Sequence, residues 1–147
     1  MVVKMKNPKV EKKLIHYIKS NSDHNSLYWY PLVHVAKFIS VAAYDIIRIY
    51  QDKNMFFIEN VVKLCNIKDV SMFQMDCREY FENESITQLL YEQDEDGYIF
   101  QWYAETFIFD ESEEWLIYLS HENTISFTGE KIVVAAKKII PPCYFIA

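Results

Sequence analysis

Residues 114–129 read EWLIYLSHENTISFTG, and the pattern of this stretch decides the fold class. Two apolar runs, residues 114–120 and 124–128, are rich in β-branched and aromatic side chains. The residues His121-Glu122-Asn123 between them are typical of a turn, so the stretch predicts a β-hairpin. Alternation along its strands, with acids left at the turns, places four large side chains in the core: Trp115, Tyr118, Ile125 and Phe127.

Short apolar runs continue upstream of this hairpin. Three of them also read as strands: residues 70–75, 87–92 and 98–110. Acidic connectors occupy residues 94–97 and 110–113, and residues 78–82 read as one helical turn. This spacing predicts a mainly antiparallel sheet of four to five strands.

Helical periodicity marks the remainder of the chain. Four helices are predicted, over residues 8–20, 31–50, 53–65 and 130–138. Asp52 is the predicted N-cap of the third helix and Asn66 its stop, and Pro141-Pro142 ends the last helix. A hairpin between residues 45–50 and 55–58 is the alternative for the second helix and the start of the third.

The order of the elements, helices before strands, predicts an α+β fold. The N-terminal helices pack on the mainly antiparallel four- to five-stranded sheet, and a C-terminal helix follows. The length of 147 residues fits a single domain. Within it, residues 1–68 are expected to be mainly helical, residues 69–128 to form strands, and residues 129–140 to form the last helix.

Composition narrows the functional classes. Hydrophobic residues make up 51% of the chain, which excludes intrinsic disorder, and a net charge of −6 argues against a nucleic-acid partner. The three cysteines form no disulfide or metal pattern, and the lysine-rich N-terminus lacks the apolar core of a signal peptide. Charged residues interrupt each apolar stretch, so no membrane partner is expected. These features predict a cytoplasmic protein.

The charges are distributed unevenly along the chain. Residues 79–130 hold 14 acidic residues and no Lys or Arg, together with half of the aromatic residues. Such a segment attracts a basic protein partner and repels an acidic one. Eight of its acids are the predicted partner-binding residues: Glu92, Asp94, Glu95, Asp96, Glu105, Glu111, Glu113 and Glu114.

The sequence offers no catalytic, cofactor or metal site. Ser120-His121-Glu122 has the composition of a catalytic triad, but neighbouring strand residues point to opposite faces, so local hydrogen bonds at a hairpin corner are the preferred interpretation. The histidines lack metal-binding spacing. Two alternatives to a binding protein remain open: a small enzyme or small-ligand binder that uses carboxylates and aromatics in a cleft, and a nucleic-acid mimic.

One stretch resembles a known class of proteins. The run from Tyr103 to Asp110, YAETFIFD, and the W-x-x-Y-x-S-H-E-x-T-I-x-F-x-G run from Trp115 to Gly129 are similar to the C-terminal end of small bacterial immunity proteins of polymorphic toxin systems. The resemblance covers only residues 103–129. It implies a protein that binds and blocks a toxin domain, and many such toxins are basic nucleases.

Overall fold

The computed structural model describes residues 3–5, 12, 40–74, 79–91, 106–112, 114–120 and 122–146. The described strands are β1 (Val3–Met5), β2 (Val41–Asp45), β3 (Asp69–Gln74), β4 (Glu79–Ser85), β5 (Thr106–Phe109), β6 (Leu116–Leu119) and β7 (Thr124–Thr128). The helices with described bounds are α1 (Ile46–Gln51), α2 (Phe56–Leu64), α3 (Ile86–Tyr91) and α4 (Glu130–Ile139), followed by the 3-10 helix Pro142–Tyr144.

The strands form one seven-stranded sheet in the order β1-β4-β3-β5-β6-β7-β2, and every neighbouring pair is antiparallel. The α+β class, the mainly antiparallel sheet and the C-terminal helix are therefore confirmed. Five of the seven strands lie within the segment that was predicted to form the sheet. The other two, β1 and β2, come from the N-terminal part, where the sequence predicted helices.

The helices cover one face of the sheet. A row of buried side chains runs across five strands in register on this face: Met72, Ile108, Ile117, Phe127 and Ala42. It belongs to the same hydrophobic cluster as Val61 of α2 and Ile132 of α4. Complete burial stabilises each such aliphatic side chain by roughly 1.5–3 kcal/mol, so this layer holds the helices on the sheet.

The opposite face of the sheet is also buried. Its row in register consists of Phe73, Phe107, Tyr118, Ser126 and Ala43, each no more than 2% exposed. The rings of Phe107 and Tyr118 stack with their centroids 4.7 Å apart. The predicted burial of all four hairpin side chains is confirmed, but Tyr118 lies on this second face whereas Ile117, Phe127 and Ile125 belong to the helix-covered cluster.

The prediction of one continuous helix over residues 31–50 is wrong over residues 41–45, whereas its residues 46–50 are helical as predicted and residues 31–39 lie outside the described residues. Residues 41–45 form β2, which pairs with β7 along its whole length, and only Ile46–Gln51 is helical. The hairpin alternative is wrong as well, because both of its proposed strands include helical residues. The partner strand lies far along the chain, and its pairing overrides the local helical spacing.

In two further segments the observed secondary structure is the opposite of the predicted one. Residues 79–85 form a strand, β4, where one helical turn was predicted, and residues 86–91 form α3 where a strand was predicted. Ser85 explains the boundary, because its hydroxyl accepts a hydrogen bond from the backbone N–H of Gln88 at 3.4 Å, as an N-cap does. The acceptor is a short polar residue just before an apolar run.

The predicted third helix is confirmed, with shifted bounds. It begins at Phe56 after Met55, not after Asp52, and Asp52 instead follows the last turn of α1. Asn66 adopts a positive φ of 57°, which stops the helix as predicted. The predicted helix over residues 8–20 lies outside the described residues except for Lys12, and so do residues 98–105 of the long predicted strand, whose residues 106–109 form β5.

Among the described residues, no helix combines the length and the hydropathy that crossing a membrane requires.

Candidate partner-binding surface

The turn between β5 and β6 carries the described part of the predicted binding site. We call residues 110–114 the acidic turn. The Asp110 carboxylate accepts hydrogen bonds from the backbone N–H of Ser112, at 2.9 Å, and from the Ser112 hydroxyl. The Ser112 hydroxyl in turn accepts one from the backbone N–H of Glu114 at 3.2 Å. Short polar side chains thus fix the backbone, and glutamates are left to face solvent.

A buried tryptophan anchors the acidic turn to the core. The indole Nε1 of Trp115 donates to the second carboxylate oxygen of Asp110 at 2.9 Å, and only 7% of the Trp115 surface is exposed. A hydrogen bond to a charged acceptor is stronger than one between neutral groups. The carboxylate of Asp110 is therefore hydrogen-bonded within the protein. This structural role distinguishes it from its acidic neighbours in the turn.

A glycine allows the acidic turn to lie against the start of α4. Gly129 adopts a φ of 117°, and a Cβ at this position would collide with the carbonyl oxygen of Glu114. The backbone N–H of Gly129 donates to the carbonyl oxygen of Ser40 at 3.1 Å. The close approach and the positive φ both require glycine, so Gly129 allows the turn to lie directly against the junction of β7 and α4.

Two of the eight predicted binding residues, Glu111 and Glu114, are exposed on this turn. The register places two further exposed acids at the same end of the sheet, Asp69 at the start of β3 and Glu130 at the start of α4. Their sequence neighbours Lys68 and Lys131 are exposed there too. The described part of this end is thus acidic on balance but not free of positive charge.

The other six predicted binding residues lie outside the described residues: Glu92, Asp94, Glu95, Asp96, Glu105 and Glu113. The acidic turn follows the last residue of β5, whereas Glu105 directly precedes the first. The partner-binding role of the eight acids stays a prediction.

Four aromatic side chains of the acidic segment, residues 79–130, fill the interior, whereas Phe109 is partly exposed. Phe107, Trp115, Tyr118 and Phe127 are each at most 7% exposed. They contribute packing, and Trp115 also holds the acidic turn.

The second turn next to β6 shows what Ser120 does. Its buried hydroxyl lies 2.7 Å from the Thr124 hydroxyl and accepts a hydrogen bond from the backbone N–H of Glu122 at 3.2 Å. Local hydrogen bonds at this hairpin corner were predicted for His121 and Glu122, and the prediction is confirmed for Glu122, whose backbone N–H makes one. His121 lies outside the described residues.

Cys65 has the environment of a structural thiol. Its Sγ lies 3.9 Å from the backbone carbonyl oxygen of Lys131, and burial raises the pKa of the thiol, against a smaller opposite effect of the Lys131 charge. A raised pKa keeps the thiol protonated at neutral pH, which disfavours nucleophilic chemistry. Within the described ranges, no three His, Cys, Asp or Glu side chains are grouped so that they could hold a metal ion.

A polar cluster that the sequence did not reveal fastens the C-terminal segment. The Tyr144 hydroxyl donates to Asp52 at 2.7 Å and accepts from the Asn54 amide at 2.8 Å. Arg48 lies 5.5 Å from the centre of the Tyr144 ring and donates to the Cys143 carbonyl at 3.0 Å. The hydrogen bond to Asp52 raises the pKa of Tyr144. About 90 residues separate the partners, so no local pattern could indicate the cluster.

Comparisons with known proteins identify no relative of this chain. No family model matches the chain, and no significant match was found among curated proteins or solved structures. The charge distribution and the geometry of the acidic turn are therefore the features of the chain that bear on its function.

Proposed function

We propose that the chain is a cytoplasmic binding protein that neutralises a basic protein partner through its acidic, aromatic-rich segment, as an immunity protein does for a toxin. One observation carries the proposal. Glu111 and Glu114 are exposed on a turn that hydrogen bonds of Asp110 and Ser112 hold in place, within 52 residues that contain no Lys or Arg.

The rigidity of the acidic turn supports a binding role. Ordering a flexible loop on association costs free energy, so a turn that is already fixed by hydrogen bonds binds with a smaller penalty. The internal use of Asp110 leaves Glu111 and Glu114 as the charges that meet the solvent. Exposed acids of this kind accelerate encounter with a basic partner and contribute little to folding stability.

The buried aromatics support the same proposal indirectly. Trp115 fixes the turn through Asp110, and the stacked rings of Phe107 and Tyr118 pack between β5 and β6, the strands that the turn connects. The described aromatics thus position the acidic charges, and the charges make the contact.

The proposal is tested first by co-expression. If a neighbouring gene encodes a basic toxin domain, production of the present protein should protect the host cell, and the two purified proteins should form a complex. The variant Glu111→Lys, Glu114→Lys should protect less, whereas Glu122→Lys, at the opposite end of β6, should protect like the original protein. Equal protection by both variants would contradict a role for the acidic turn.

A further inference from the structure

The outer surfaces of α2 and α4 carry the most exposed large apolar side chains of the described helices. Val134 of α4 is 63% exposed and Leu64 of α2 is 50% exposed. Three exposed lysines of α4 surround Val134 at helical spacing: Lys131, Lys137 and Lys138. We call these five residues the lysine ridge.

The two helices lie side by side and run in opposite directions. At one end, the thiol of Cys65, directly after α2, lies 3.9 Å from the carbonyl oxygen of Lys131 in the first turn of α4. At the other end, the ring of Phe57 lies 6.5 Å from that of Tyr144, which follows α4. Leu64 therefore lies near the first turn of α4, and Val134 is about one turn further along.

Helix stability does not account for all residues of the ridge. Lys137 and Lys138 lie in the last turn of α4, where the helix dipole favours positive charge. Lys131 lies in the first turn, where the dipole disfavours it, and an exposed Val134 adds nothing to the core. On α2, by contrast, Lys63 is paired with Glu59 at 2.7 Å and is not counted in the ridge.

We propose that the lysine ridge docks an acidic segment of another protein, in which an apolar side chain is flanked by carboxylates. Val134 and Leu64 supply the apolar contact, and the three lysines supply the complementary charge. The residues that follow position 130 include three lysines and no acid, so the ridge differs in sign from the acidic residues 79–130 that precede it, although the net charge of the whole chain is −6.

The observations favour a protein over a membrane or a nucleic acid. The wide apolar side of α4, with Ile132, Val133 and Ala136, is buried against the sheet, so the helix has no such face to insert into lipid. A phosphate backbone would use the lysines but would gain nothing from Val134 and Leu64. The proposal does not depend on the proposed function, because the ridge consists of residues of α2 and α4 and includes none of the acids of the acidic turn.

The test is a chemical-shift titration of the isotope-labelled full chain with two synthetic peptides. Both peptides carry leucines on one helical face. Glutamates flank these leucines in the acidic peptide, and lysines flank them in the basic peptide. The acidic peptide should shift the amide signals of residues 131–138 and of Leu64. The variant Lys137→Glu, Lys138→Glu should weaken its binding about tenfold, since each reversal converts an attraction into a repulsion. Val134→Ser should weaken it as well, whereas Lys53→Glu, which makes the same charge reversal at one position on a loop, should not.

Four results would overturn the proposal. One is the absence of shifts with the acidic peptide, and another is equal binding of the basic peptide. A third is a ridge response to duplex DNA or to anionic phosphatidylserine vesicles in place of the acidic peptide. The fourth is a shift of the ridge signals with protein concentration alone, which would make a second copy the occupant. None of these results bears on the acidic turn, so the two proposals fail separately.

Discussion

Hydrogen bonds fix the backbone of both turns at the ends of β6, but the two turns use different partners. In the acidic turn, Asp110 fixes the backbone and also holds the buried indole of Trp115. In the turn over residues 120–123, Ser120 fixes the backbone, and the carbonyl oxygen of Asn123 accepts a hydrogen bond from Ile46, the first residue of α1, at 3.1 Å. One turn is fastened through a core side chain and the other through the backbone of a helix.

This difference distinguishes an acid that stabilises the fold from acids that are exposed to solvent. Asp110 is used within the fold, and Glu111 and Glu114 beside it are exposed as a pair. The second turn displays one described acid, Glu122. A basic partner that is steered by charge should therefore depend on the first turn more than on the second. The predictions below test that asymmetry.

Replacing Trp115 should have the largest effect on stability. The change Trp115→Ala removes a buried ring and leaves Asp110 without its indole donor, so the free energy of unfolding should fall by about 3–5 kcal/mol. Urea denaturation measures this loss. A loss below about 1 kcal/mol would mean that the indole does not pack in the core.

Gly129→Ala should be nearly as damaging. The new methyl group would meet the Glu114 carbonyl oxygen, and the backbone would be held in a strained conformation, which together cost about 3 kcal/mol. The neighbouring change Glu130→Ala is the control, because an exposed first-turn side chain should alter the free energy of unfolding by only about 0.5 kcal/mol. Similar values for both variants would contradict the close contact between the turn and α4.

Asp110→Asn and Ser120→Ala compare the two turns directly. Asparagine has a single acceptor oxygen, so it would lose the charge together with either the two Ser112 hydrogen bonds or the Trp115 hydrogen bond, at a cost of about 1–2 kcal/mol. Ser120→Ala should cost about 1 kcal/mol, because only neutral hydrogen bonds are lost. A double-mutant cycle of Asp110→Asn with Trp115→Phe should show non-additive losses in urea denaturation. Additive losses would mean that the two side chains act independently.

Local patterns predicted the hairpin well. The strand over residues 124–128 was predicted with its observed bounds, because β-branched residues follow a polar turn there. The exposure of Glu111 was also predicted, and it is confirmed. Asp110 and Ser112 could have been recognised as a turn motif, since an aspartate two residues before a serine commonly bonds to the backbone.

Partners far apart in sequence account for what could not be predicted. Residues 41–45 have helical spacing, and only their pairing with β7 makes them a strand. The contact of Gly129 with Glu114 and the cluster around Tyr144 likewise depend on the tertiary fold. The lysine ridge left a weak signal, an apolar Val134 among lysines, but its exposure depends on which side of α4 meets the sheet.

The most direct test of the central claim is the association rate with the basic partner from the co-expression experiment, measured against ionic strength. The variant Glu111→Lys, Glu114→Lys should fold normally, associate about tenfold more slowly at low salt, and show a weaker dependence of the rate on salt. Glu122→Lys should change the rate much less, because it reverses one charge at the opposite end of β6. If the double variant associates as fast as the original protein, or if Glu122→Lys slows association as much, the acidic turn is not the docking site.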